Sequence, residues 1–228
     1  RIKNSVVGCW VLGVGLDFGL PHKDQIPHCP KFCSIPYIMY IAAKKATQLS
    51  IGKGLFQKRF IAIGSDLSSS SCSFQKARPF HMDDKNSNLA KDNAVTMKDL
   101  FKGKKVAIFG VPAPFTGTCT HAHYPPYKSL EDEFKAKGID EIVCYSVADP
   151  YAHFNWGKAM GNDFDKITFL ADVDCEWAKE NDLDRDYSAA SLGHRSARFS
   201  MIVDDGTVKS FNMVEEADKD AETLLSQV

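Results

Sequence analysis

KKVAIFGVPAPFTGTC, residues 104 to 119, decides how this chain is to be read. A short run of β-formers from Val106 to Gly110 is halted by Pro112 and Pro114, then followed by Thr116, Gly117 and a lone Cys119. The apolar run reads as a buried strand ending at Val111, with a helix beginning near Thr118. Cys119 then falls in the first helical turn, where unpaired N–H groups and the positive end of the dipole favour a thiolate, the nucleophilic form of cysteine. The prolines fix the backbone of the loop, and Gly117 lets the chain turn close to an incoming ligand. Thr116 puts a hydroxyl three residues ahead of the sulfur, within reach of it or of a substrate oxygen. Position alone does not make the thiol reactive, because a cysteine after a strand is commonly an inert, buried residue.

Outward from this corner the pattern alternates. Residues 120 to 137 carry Tyr127, Leu130 and Phe134 at helical spacing and stop at Gly138. EIVCYSVAD (141 to 149) is the next strand, followed by a helix near 152 to 160, a strand ITFLAD (167 to 172) and a helix near 175 to 181. RFSMIVDDGTVKSFNM (198 to 213) is a hairpin turning at Asp205-Gly206, and a helix near 218 to 226 closes the chain. Strand, helix, strand with a later antiparallel hairpin and a helix is the order of an α/β, thioredoxin-like fold: a central mixed β-sheet flanked by helices.

The 228 residues suffice for one domain with a substantial core, or two small ones. Lys and Arg (28) nearly balance Asp and Glu (29), which lacks the basic footprint of a nucleic-acid binder. Seven cysteines, odd and irregularly spaced, argue against a secreted disulfide framework and for a reducing compartment. No run approaches the roughly 20 apolar residues that cross a bilayer. Residues 1 to 38 show no sustained period and are expected to be absent from the mature protein. Cys29 and Cys33 with His22 and His28 lack the second well-spaced pair of a zinc site, so no metal is expected. Residues 39 to 73 are basic, acid-free until Asp66 and serine-rich at the end, the composition of an organelle transit peptide; a surface helix with a solvated basic face is the alternative. The folded domain is expected over 74 to 228.

VPAPFTGTCTHAHYPPY resembles the active-site segment of the peroxiredoxins, whose Pro-x-x-x-Thr-x-x-Cys pattern falls on Pro112, Thr116 and Cys119. More narrowly it is similar to the type II, or atypical two-cysteine, members, and among them the plant mitochondrial form. The similarity runs from about 74 to 228 through FKGKKVAIFGVP, YPPYK, FKAKGID, DPY, LGHRSARFSM and VKSFNMVEE.

The resemblance implies a thiol peroxidase that reduces hydrogen peroxide and alkyl hydroperoxides. Cys119 takes the part of peroxidatic nucleophile, Thr116 bonds thiolate and peroxide, Pro112 shields the sulfur, and Arg198 donates to both sulfur and peroxide. Arg195 competes with Arg198 but is placed in the preceding loop. His123 and Phe115 help to shape the pocket, whereas His121 is expected to be an exposed helix residue. Cys144 matches the resolving cysteine, so an intramolecular Cys119–Cys144 disulfide is one implied route; attack by glutathione or a glutaredoxin thiol is the other. Cys175 and Cys72 match no functional position.

No metal, haem or flavin is implied, only a thiol reductant: glutathione with glutaredoxin, or thioredoxin. The implied partners are a small peroxide, one of these reductants and a second copy in a homodimer, with neither nucleic acid nor membrane. The implied compartment is the mitochondrial matrix, with the chloroplast stroma as alternative. Pro112-Ala113-Pro114-Phe115 departs from the commoner Pro-Gly-Ala followed by Phe or Tyr, which leaves pocket width open. Two rival readings are a non-catalytic peroxide sensor or interaction protein and a general disulfide oxidoreductase; the latter lacks the expected C-x-x-C, because residue 116 is threonine.

Overall fold

The computed structural model describes residues 60–80 and 89–228; the readings made on residues 1 to 38 and on the basic stretch up to 59 lie outside them. The strands are β1 (Ser73–Lys76), β2 (Ala94–Thr96), β3 (Lys105–Gly110), β4 (Glu141–Ser146), β5 (Ile167–Ala171), β6 (Asp184–Asp186), β7 (His194–Ser196), β8 (Phe199–Asp204) and β9 (Thr207–Met213). The α-helices are α1 (Leu89–Asp92), α2 (Met97–Phe101), α3 (Tyr124–Ser129), α4 (Glu131–Ala136), α5 (Pro150–Ala159), α6 (Glu176–Glu180) and α7 (Asp220–Ser226), with a π-helical turn over Cys119–His123. Seven strands form one sheet in the order β2-β1-β5-β4-β3-β8-β9, while β6 and β7 pair by themselves. The β3–β4 and β4–β5 pairs are parallel and the β3–β8 and β8–β9 pairs antiparallel, so the sheet is mixed, as expected.

Because successive side chains of a strand point to opposite faces, both faces of the central strands must be covered. Val106 and Ile108 of β3, Val143 and Tyr145 of β4, and Phe199, Met201 and Val203 of β8 join one apolar cluster with Phe74, Leu100 and Trp177. Ala107 and Phe109, Ile142 and Cys144, and Ile202 join the opposite one with Cys119, Tyr124, Tyr127 and Trp156. The period of two thus places Cys144 on the face that carries Cys119. Gly110 sits opposite Phe199, and a Cβ there would lie 2.1 Å from the phenyl ring, so only glycine lets that ring cross the end of β3. The hairpin turns at Asp205 (φ 44°) and Gly206 (φ 83°), the positive dihedrals of a two-residue connection.

The structure departs from the sequence reading in particular places. The single helix expected over 120 to 137 is a π turn and two α segments, parted at Leu130. Arg195 lies on β7 rather than in a loop. β1, β2 and the β6–β7 pair were not anticipated. Packing also extends ahead of Phe74: Leu67 and Cys72 are buried, and the backbone of 64 to 67 bonds to the hairpin through Gly64 N to Val208 O (2.8 Å) and Leu67 N to Gly206 O (2.8 Å).

Candidate active site

The strand-to-helix corner is built as its sequence suggests. Phe115 takes a left-handed backbone (φ 58°) and leaves its ring largely exposed, while Thr118 is already helical. Cys119 lies in the first turn of the helix, where the π turn begins, and is buried, with only 1% of its surface accessible. Its carbonyl accepts from the N–H of Tyr124, five residues on, which is the π register. The cause lies in Pro125 and Pro126: neither has the N–H that an α turn would need for the carbonyls of 121 and 122. The wider turn carries His123 beneath the sheet-facing side of the helix and leaves His121 exposed.

Arg198 enters from the residue just before β8, on the same face of the strand as Ser200 and Ile202. Its Nη2 donates to Cys119 Sγ at 3.3 Å, and its Nη1 lies 2.9 Å from His123 Nδ1. Below this, His123 Nε2 lies 2.8 Å from Asp220 Oδ2, which also accepts from Tyr127 OH at 2.5 Å, and Asp220 Oδ1 accepts from Ser200 Oγ at 2.7 Å. Burial, with the charge of Arg198, holds His123 below the ordinary imidazole range despite the opposing pull of Asp220. Burial, followed by the neighbouring Asp220 charge, pushes the Tyr127 phenol well up.

Arg195, the competing arginine, is held elsewhere: Nε donates to Leu192 O at 2.8 Å and Nη1 to Val147 O. Thr116 Oγ1 donates to Ala113 O at 2.9 Å, so in this conformation its proton closes the loop instead of reaching the sulfur. Pro112 is buried and shares with Arg198 the wall of an open cavity of about 560 Å³, whose other sides include Tyr187, Met213 and Val214. Cys144 is fully buried; burial first, and negative charge at Cys119 second, push its thiol far up. Cys72 and Cys175 belong to the opposite cluster, and burial pushes each thiol to about 11. Among the described residues, no group of three His, Cys, Asp or Glu side chains is placed to hold a metal ion, and no helix is long and apolar enough to cross a membrane.

The sequence reading gathered Pro112, Phe115, Thr116, Cys119, His123 and Arg198 at one corner. It passed over Asp220, Tyr127 and Ser200 as members of the network. A signal for Asp220 existed: it stands one turn before Leu224 on the apolar stripe of the last helix, a position where an acid is buried and must be paired.

An arginine donating to a helix-start cysteine can stabilise the thiolate and the charge that develops when the sulfur attacks an electrophilic oxygen. Comparison with known proteins agrees with that chemistry. Residues 75–225 match the Redoxin family. The chain is 43% identical over 194 residues to mitochondrial Peroxiredoxin-2F of Arabidopsis thaliana, covering 82% of this chain and 92% of that protein. It is 44% identical over 176 residues to the protein of the same name from rice, Oryza sativa subsp. japonica, covering 74% of this chain and 85% of that one. Among solved structures, reduced Prx3 of Vibrio vulnificus in complex with hydrogen peroxide superposes with a TM-score of 0.61 at 33% identity, over 74% of this chain and all (100%) of that one. Peroxiredoxin 5 of Alvinella pompejana gives 0.61 at 28% identity, over 73% of this chain and 97% of that one. The chain therefore belongs to the redoxin family and, within it, to the type II peroxiredoxins, thiol peroxidases of antioxidant defence.

Proposed function

We propose that Cys119 is the peroxidatic nucleophile and Arg198 its electrostatic partner. The single observation that carries the assignment is the 3.3 Å contact from Arg198 Nη2 to Cys119 Sγ at a helix start. The thiolate attacks one peroxide oxygen in line with the O–O bond; an S–O bond forms, the O–O bond breaks, and its electron pair leaves on the distal oxygen. That oxygen takes a proton and departs as water or an alcohol, while Cys119 becomes a sulfenic acid. Arg198 and the first-turn amides offset the charge moving from sulfur to oxygen. Thr116 serves by turning its hydroxyl from Ala113 O to the peroxide, and Pro112 keeps bulk water from the sulfur.

The sulfenic acid is reduced by a thiol. Complete burial of Cys144 favours an external thiol, from glutathione with glutaredoxin or from thioredoxin, as long as the present conformation holds. Disulfide formation with Cys144 requires the π turn to unwind so that the Cα atoms come within roughly 7 Å. The likeness to mitochondrial relatives and the basic, acid-poor stretch ahead of Asp66 support import into mitochondria, and pairing into a homodimer accords with the family. A mature chain whose mass places its first residue upstream of Met39 overturns the import reading.

Stopped-flow oxidation of the reduced protein by hydrogen peroxide tests the site. Cys119→Ser is expected to consume no peroxide, and Arg198→Ala to oxidise roughly a hundredfold more slowly, the scale on which one removed donor to a developing anion acts. Unchanged oxidation in Arg198→Ala refutes the arginine role. Intact mass then separates the routes: a loss of two hydrogens that disappears in Cys144→Ser shows the internal disulfide, and a glutathione adduct in both proteins shows the external one.

A further inference from the structure

The network beneath Arg198 has a definite direction. A guanidinium only donates, so the 2.9 Å contact between Arg198 Nη1 and His123 Nδ1 makes that nitrogen an acceptor. His123 is then the neutral Nε2–H tautomer, and Nε2 donates to Asp220 Oδ2 at 2.8 Å. Asp220 must be the acceptor at every contact, since Tyr127 OH and Ser200 Oγ also give it their protons. One carboxylate on the last helix therefore decides which nitrogen of His123 carries the proton and leaves the one facing the arginine free to accept. The side chains of both partners are almost wholly buried, at 0% and 2% exposure, so water does not compete for either.

We propose that Asp220 is a positioning residue of the peroxidase reaction: by fixing the Nε2–H tautomer of His123 it holds Arg198 with Nη2 on the Cys119 sulfur. The proposal rests on the reading of Cys119 and Arg198 given above. The titratable and charged groups facing His123 are Asp220 from α7, Tyr127 from α3, Arg198 from the start of β8 and Cys119 from its own helix; Cys144 of β4 adds its influence on Tyr127. Of these, Asp220 is the group in hydrogen-bond contact with Nε2. An amide at that position can instead donate to Nε2, which moves the ring proton to Nδ1, where it meets Arg198 donor to donor and drives the guanidinium off the sulfur.

The test uses the full chain and the Asp220→Asn variant. In the wild type, ¹⁵N shifts of the His123 ring are expected to report the Nε2–H tautomer at neutral pH; the Nδ1–H form or the doubly protonated ring there overturns the proposal without any variant. In Asp220→Asn, the ring proton is expected on Nδ1. The rate of oxidation by hydrogen peroxide is expected to fall roughly ten- to hundredfold, the scale of a hydrogen bond to a charged group. The pH midpoint of Cys119 alkylation is expected to move upward. Unchanged oxidation and midpoint in a folded Asp220→Asn protein overturn the relay. If Arg198→Ala slows oxidation while Asp220→Asn does not, the relay fails and the arginine reading stands; if neither variant slows it, the arginine reading fails as well.

Discussion

His153 is a buried imidazole that the reaction does not use, and it sets a pH limit on the fold. It lies in α5 with no exposed surface, and its Nε2 meets Ser146 Oγ of β4. Burial, opposed only weakly by Asp149, pushes it down from 6.5 to about 3. A group depressed in the folded state contributes stability that is complete above its unfolded pKa and is lost as pH falls toward the folded one. The window is therefore from 6.5 down to about 3. Between pH 7 and pH 4 the wild type is expected to lose about 3 kcal/mol through this group. Chemical denaturation at the two pH values checks this: His153→Gln should show a difference smaller by about that amount, and an equal difference in both proteins refutes it. At this scale the sequence told unequally. Cys119 and Arg198 were legible because their residue types sit in a dense pattern with its own chemistry. Asp220, Tyr127 and Ser200 were not, because each is ordinary alone and their meeting depends on the sheet carrying β8 beneath two helices.

Among the elements, the π turn over Cys119–His123 is the one on which the site depends. Its register follows from two residues without N–H groups, Pro125 and Pro126, and it sets how far His123 reaches toward Arg198 and Asp220. Replacing both prolines by alanine supplies the missing donors and lets the turn relax to an α pitch. A shift of about an ångström in reacting groups costs up to roughly a hundredfold in rate. Pro125→Ala/Pro126→Ala is accordingly expected to slow peroxide oxidation by about ten- to a hundredfold while keeping its thermal midpoint; an unchanged oxidation rate refutes the link. The strands β3, β4, β5, β8 and β9 were readable because β-branched and aromatic runs end at clear turns, and Asp205-Gly206 named the hairpin outright. The π turn was not read, although YPPY carried its cause, because apolar spacing at 127, 130 and 134 suits an unbroken helix equally well. β1 and β2 are three or four residues each and acquire their identity only from pairing, β1 with β5 and β2 with β1.

For the molecule as a whole, what matters is where the domain begins. The sequence marks a change of composition near Phe74, but composition records solvent affinity, whereas the boundary of a fold is set by contacts with distant residues. Ahead of Phe74, Leu67 and Cys72 enter the same apolar cluster as Phe74, Trp177 and Val208, and Ser70 Oγ donates to Glu180 Oε2 at 2.8 Å. The bonds of Gly64, Ser65 and Leu67 to β9 and its turn fasten this stretch along the hairpin whose other strand begins next to Arg198. Burying two apolar side chains and satisfying these backbone groups contributes about 3 to 5 kcal/mol. A protein starting at Phe60 is therefore expected to melt on the order of 10 °C above one starting at Phe74. Equal midpoints refute the contribution of residues 61 to 72. The same contacts bear on processing: a cut at Phe74 would remove part of the core, so a mature protein that begins ahead of Leu67 is expected to melt higher than one that begins at Phe74.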